Sequence, residues 1–295
     1  MKYKKILLII AIITLLFTVT GCSQDTMDNI NIIVTNYPNE YILKELYSNH
    51  ATITSIYPDG VDIDNYKIGK KQKNKYAKEA LFVYNGLIEK ERNLALDLLS
   101  INNELKIIDT AYVLETDYSP EELWLNPSSL LMMAQNVKIG LQEYVTSSVI
   151  KEDIEKNYET LKINLSELDS AYRLTIKNTE NKTIVVDNSA LKFLEKFDLN
   201  VICIDADANE KTLEDVQNLI TNKEISYIFS FEGQKENKNT KDFLEKNSEL
   251  KVAKLHKLNN LTDKERADKE DYLSLMNKNL ELIKQELYQQ EQKTD

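Results

Sequence analysis

Eight short apolar runs separated by helical segments constrain this chain more than any other feature. In order they fall within "INIIVTN" (30–36), "ATITSIYP" (51–58), "LFVYN" (81–85), "LKIIDT" (105–110), "KTIVVDN" (182–188), "LNVICID" (199–205), "ISYIFSF" (225–231) and "LKVAKL" (250–255). Runs this short, rich in Val, Ile, Phe and Tyr, read as strands, while "NEYILKELYSN" (39–49) and "TLEDVQNLITN" (212–222) between them read as helices. Such alternation predicts parallel βα units and an α/β fold. The expectation is two lobes, each with a roughly four-stranded parallel sheet flanked by helices.

Between the two groups of strands lies the most regular stretch of the sequence. Ile150, Ile154, Tyr158, Leu161, Leu165, Leu168 and Tyr172 recur at spacings of three and four, the signature of one continuous amphipathic helix. Running from about residue 145 to 178, it would span roughly 50 Å and join the lobes rigidly. A coiled coil would need a longer stripe. Near the end, Tyr272, Met276, Leu280, Ile283 and Leu287 mark a second buried helical face. With six glycines and four prolines in 295 residues, few points break these elements.

The amino terminus sets the compartment. Three lysines precede an apolar run, Ile6 to Val19, that ends in "VTGC". This is the layout of a signal peptide, and the run is short of the about 20 residues a transmembrane helix requires. "VTGC" resembles a bacterial lipobox, which implies cleavage before Cys22 and a lipid anchor on it; an uncleaved anchor helix is the alternative. The expected organisation is therefore residues 1–21 as lipoprotein signal peptide, 22–29 as lipidated tether, 30–144 as first lobe, 145–178 as connecting helix and 179–295 as second lobe. Loss of residues 1–21 removes Lys2, Lys4 and Lys5 and no acid, which moves the formal net charge from −11 to −14. So acidic a protein repels nucleic acid, which is discounted as a partner. Cys203 is then the one remaining thiol, expected to be a buried strand residue with no disulfide open to it.

The loop "YPDGVDIDNYKIG" (57–69) gathers Asp59, Asp62 and Asp64 around one glycine. Together with "LFVYNGL" (81–87) it resembles the turn and strand end of the zinc/manganese substrate-binding lipoproteins of ABC transporters. "ELWLNPSSLLMMAQNV" (122–137) is similar to that family's tryptophan-leucine-aspartate-proline stretch, "VVDNSALKFLEKFDLNVICID" (185–205) to the opening of its second lobe, and "ISYIFSFEGQ" and "AKLHKLNNL" to its last two strands. The resemblance covers about residues 30–288. It implies a divalent metal ion, manganese or zinc, as cargo, an ABC permease as partner, a monomer, and an extracytoplasmic location on the bacterial cell membrane. Carried over residue by residue, the metal ligands fall on Asp64, Glu122, Asp187 and His256. Ile63 stands where the family has proline, and "AYVLETDYSP" (111–120) lacks the histidines of the loop in many zinc members.

Three carboxylates and one imidazole suit a hard cation such as manganese better than zinc, whose protein sites favour imidazole and thiolate. Asp62, Asn65 and Asn188 are positioned in sequence to hydrogen bond to these ligands. Asp62 is expected to shape the turn and Asp59 to face water. Each implied ligand also has a plain alternative: turn formation for Asp64, an exposed place in a first helical turn for Glu122, an N-cap for Asp187 and a solvated surface for His256. A degenerate receptor of the same fold, acting as an adhesin without metal, is the competing function. Two histidines and one mature cysteine leave nucleophilic catalysis little to work with, and no phosphate loop or nucleophile elbow is present. A carboxylate-pair hydrolase remains formally open, but no enzyme is expected.

Overall fold

All eight apolar runs are strands, and they form two parallel sheets of four. The structure is a computed structural model and describes residues 27–288; Cys22 and the expected signal peptide lie outside them. Strands β1 (Ile30–Val34), β2 (Ala51–Ser55), β3 (Leu81–Tyr84) and β4 (Lys106–Asp109) order as β2-β1-β3-β4. Strands β5 (Thr183–Val186), β6 (Asn200–Cys203), β7 (Tyr227–Phe231) and β8 (Lys251–Leu255) repeat the pattern as β6-β5-β7-β8. Ile32 pairs with Leu81 across β1 and β3, and Val185 with Ile228 across β5 and β7. Covered on both faces, the central strands β3 and β7 are buried along nearly their whole length, whereas the edge strand β2 alternates in burial. Cys203 ends the edge strand β6, so its thiol is half-buried rather than buried; burial still pushes it up to about 11.

Helices α1 (Tyr37–Tyr47), α2 (Lys70–Tyr76), α3 (Glu89–Ile101), α4 (Glu122–Leu125) and α5 (Pro127–Tyr144) belong to the first lobe. The long helix α6 (Ser148–Lys177) follows, then a 3-10 segment (Ser189–Phe197), α7 (Glu210–Thr221), α8 (Lys238–Lys246), α9 (Asp263–Ala267) and α10 (Tyr272–Leu287). Ser147 caps α6, and its apolar stripe is buried from Ile150 through Tyr172 and on to Ile176. Thirty residues make about 45 Å of helix, which packs on α1 and α5 and also on α10. The result is one apolar cluster that runs from Ile32 in the first lobe to Leu287 in the second, with a smaller cluster on the far face of each sheet. Separating the lobes would open that shared core, so the joint is rigid. Among the described residues no helix is long and apolar enough to cross a membrane.

The sequence motifs have local physical reasons. In "WLNP", Asn126 accepts from the Ser128 N–H as N-cap and Pro127 takes the first helical position of α5. In "YNG", the Gly86 N–H donates to Asp109 Oδ1 at 2.8 Å, and a Cβ at this position would lie 2.0 Å from Asp109 Oδ2. Asp109 also accepts from the Ala111 N–H, so it cannot swing away without losing both bonds. Gly86→Ala should therefore cost about 1–3 kcal/mol, read as a lowered urea midpoint with an unchanged slope.

The segment after β8 stitches the lobes together. The Asn259 carbonyl accepts from the Tyr37 N–H (3.0 Å), the Leu261 carbonyl from the Gly60 N–H (2.7 Å), and Asn260 Nδ2 donates to the Pro58 carbonyl (2.9 Å). Arg266 reaches across to grip Glu40 through both carboxylate oxygens (2.6 and 2.7 Å) and Asp59 at 2.9 Å. Asp59 thus does not simply face water, as the sequence suggests; the guanidinium of a residue far along the chain claims it.

Candidate functional site

Loops that follow β2, β5, β7 and β8 line a single cavity of about 530 Å³, at the carboxyl ends where open α/β sheets hold ligands. The β2 loop is set by two internal devices. Asp62 Oδ1 accepts from the Asp64 N–H (3.0 Å) and Asp62 Oδ2 from Asn65 Nδ2 (2.7 Å), an Asx-type turn that holds its carboxyl below the usual carboxylate range. Lys90 Nζ donates to the carbonyls of Ile63 (2.6 Å), Asp64 (3.2 Å) and Tyr66 (2.7 Å), much as a bound cation would gather them. With its backbone fixed, Asp64 extends its carboxylate into the cleft, where the side chain is 75% exposed.

The four ligands implied by the resemblance do not meet at one point. Asp64 and His256 line the cavity from opposite lobes. Asp187 lies behind Asn188 and Gln234, which do line it; its side chain is buried, and Oδ2 has no hydrogen-bond partner. Burial pushes this carboxyl up, against the pull of the Ser230 hydroxyl and the nearby Lys254 ammonium. The helix-capping role open to Asp187 is filled by Asn188, which accepts from the Ala190 N–H (2.9 Å). Glu122 is turned away. Its carboxylate accepts from the backbone N–H groups of Asp117, Tyr118 and Ser119, with Lys196 Nζ at 3.6 Å. It is buried, not exposed in a first turn, and it closes the loop before α4.

Glu121, one residue earlier, is the carboxylate that reaches the interior. It pairs with Lys257 Nζ at 3.0 Å, and Asp64 Oδ2 approaches the same ammonium at 3.7 Å. Burial pushes Glu121 up, but the ammonium outweighs it and holds the carboxyl below the usual range. Burial equally works against the charge on Lys257, and Glu121 with Asp64 more than restores it. A second cavity of about 290 Å³ continues from Asp64 and Lys257 toward Glu121, Trp124, Tyr57 and Glu91.

Among the described residues, one group of three metal-capable side chains converges within 4.8 Å: Glu232, His256 and Glu265. Its hydrogen bonds define a different role. His256 Nδ1 accepts from the Leu258 N–H (3.0 Å), so in the neutral ring the proton sits on Nε2, which lies 3.2 Å from Glu265 Oε1. A metal on Nε2 would require the opposite tautomer, with an N–H aimed at another N–H. The neighbouring backbone is clamped by Asn279, which bonds both the N–H and the carbonyl of His256.

Sequence reasoning missed Glu121, Lys257, Glu232 and Glu265. "EEL" offers two acids at the start of a four-residue helix, and nothing local distinguishes the inward one. Lys257 carried a faint signal, a basic residue beside the one histidine of the second lobe in a stretch matched to an acidic ligand.

Two four-stranded parallel lobes on a shared core, with a polar cavity between their carboxyl ends, define a two-lobed receptor fold. The chain belongs to the family described as zinc-uptake complex component A periplasmic, whose profile matches residues 32–286. The zinc-binding lipoprotein AdcA of Streptococcus pneumoniae is 26% identical over 308 residues, covering 96% of this chain and 61% of that relative. This chain therefore spans about three fifths of the curated relatives it matches most fully. A metal ABC transporter substrate-binding lipoprotein of Lactococcus lactis is 24% identical over 66% of this chain and 68% of its own length. In fold, the chain resembles the Zn(II)-bound ZnuA-like domain of the pneumococcal AdcA (TM-score 0.70, 23% identity, 88% of this chain and 99% of that one). It also resembles the laminin-binding protein Lmb of Streptococcus agalactiae, described as bifunctional with adhesin and metal transporting activity (TM-score 0.71, 19% identity, 88% of this chain and 100% of that one). The named relatives are described as metal-binding, metal-transporting or laminin-binding proteins.

Proposed function

We propose that this chain is the extracytoplasmic, lipid-anchored receptor of an ABC importer, which takes up a divalent cation between its lobes and hands it to a membrane permease as a monomer. The observation that carries this reading is the Asp64 carboxylate, which faces the cavity between the lobes, with the unpartnered Oδ2 of Asp187 just behind the opposite wall. The anchor is assigned to Cys22. The donors are oxygen-rich and the one imidazole holds the wrong tautomer for ligation, a chemistry that suits manganese or another hard ion better than zinc. Glu122 is left out of the donor set because its oxygens are already committed to backbone N–H groups.

Calorimetric titration of the chelator-stripped chain without its lipid cysteine, residues 23–295, tests it with manganese, zinc, iron(II) and calcium. One ion should bind one-to-one, and Asp64→Ala and Asp187→Ala should each lose that binding. A second reading is favoured by Lys257, whose ammonium already compensates two acids of the cleft: a receptor without metal, acting as a surface adhesin. No heat of binding for any ion would overturn the first reading and put the second in the lead.

A further inference from the structure

We infer that the Lys257 ammonium is a tethered cation which stands in the cleft against Asp64 and Glu121, and that a divalent ion binds there only by displacing it. This deepens the cation-receptor reading and rests on it. Lys257 Nζ lies 3.0 Å from Glu121 Oε1 and 3.7 Å from Asp64 Oδ2, and the residue lines both the larger and the smaller cavity. The ammonium joins carboxylates presented by two separate segments of the first lobe, and Lys257 itself comes from the second. It thus performs across the cleft what a bound cation would do. Without it, two carboxylates would face a half-buried space uncompensated, the arrangement in which like charges repel and a cation is drawn in.

The root of Lys257 cannot retreat. Its carbonyl accepts from Trp124 Nε1 at 2.9 Å, the residue before it is clamped by Asn279, and the Asn259 carbonyl holds the Tyr37 N–H. Only the flexible four-carbon stem can move, and the side chain is 24% exposed, so the ammonium has a route to water. A lysine is a compact, mobile point charge suited to such exchange, whereas an arginine would pair in a fixed fork. Lys257 therefore sets affinity: one of the two negative charges is already offset in the empty cleft, and cargo must compete with a charge held in place by the chain.

The test titrates manganese and zinc into the wild-type mature chain and into Lys257→Met, which keeps the stem. Lys257→Gln serves as a second variant, and circular dichroism checks the fold of each. Binding should tighten roughly two- to fivefold in both variants, and adding Glu121→Gln to Lys257→Met should cancel the gain. Acetic anhydride labelling of Lys257, read by peptide mass spectrometry, should rise when the wild type is saturated with metal. If the wild type binds and Lys257→Met binds no tighter, or if labelling does not change on saturation, displacement is overturned while the receptor reading stands. If neither wild type nor variant binds any ion, both fall.

Discussion

Replacing Arg266 by methionine should destabilise the protein by about 3 kcal/mol, more than an ordinary surface charge could. The reason is the partner it leaves behind. Glu40 is 4% exposed at the start of α1, and burial alone would raise its pKa; Arg266 and Lys44 reverse that and hold the carboxyl below its usual range. Arg266 bonds both oxygens of Glu40, and its remaining fork reaches Asp59. Removing the guanidinium strands a buried carboxylate with only the Lys44 ammonium for compensation and cuts a tie between α9 and the β2 loop. Urea unfolding at neutral pH gives the magnitude. Adding Glu40→Gln to Arg266→Met should recover most of the loss, because the penalty lies in the unpaired charge and not in the absent pair. If the double variant is as unstable as the single, the arginine contributes by packing on Tyr37, whose ring centre lies 5.9 Å from the guanidinium carbon.

The same contrast between local and distant causes explains what the sequence could reveal. The strands were legible because β-branched and aromatic runs buried on both faces carry their own signal, and α6 because its stripe repeats over thirty residues. Side-chain direction was not. Asp59 and Arg266, or Glu121 and Lys257, are far apart in the chain, and their pairing exists only after the second lobe folds back over the first. The choice between Glu121 and Glu122 depends on which oxygen set the loop Asp117–Ser119 recruits, a matter of three backbone N–H groups that no residue type announces. Asp187 and Asn188 pose the same problem at a strand end: both residue types cap helices, and the geometry uses the second.

Glu91 makes the other large prediction, a stability that falls as pH rises. This carboxyl is 2% exposed and sits between the ends of β1 and β3, where the strand order reverses. Thr35 and the Asn36 side chain (2.9 Å) bond it from the β1 side and the Asn85 N–H (2.7 Å) from the β3 side, so it fastens the floor of the smaller cavity. Burial pushes its pKa up to about 7, and those three hydrogen bonds recover only part of the shift from 4.5. The native state therefore keeps a proton that the unfolded chain releases. Below about pH 4.5 both states hold it and the stabilisation is complete; between there and about pH 7 only the folded state does, so stability declines as pH rises; above that both are ionised and the loss is complete. The window is worth about 3 kcal/mol. Urea unfolding at about pH 5 and about pH 8 should show this decline in the wild type and much less of it in Glu91→Gln. The variant starts from a lower level, because its amide sets N–H groups against the donors that now bond the carboxyl, so the pH slope is the readout and not the absolute stability. An unchanged slope in the variant would mean that Glu91 is ionised in the folded protein and that its three donors fully offset the cost of burial.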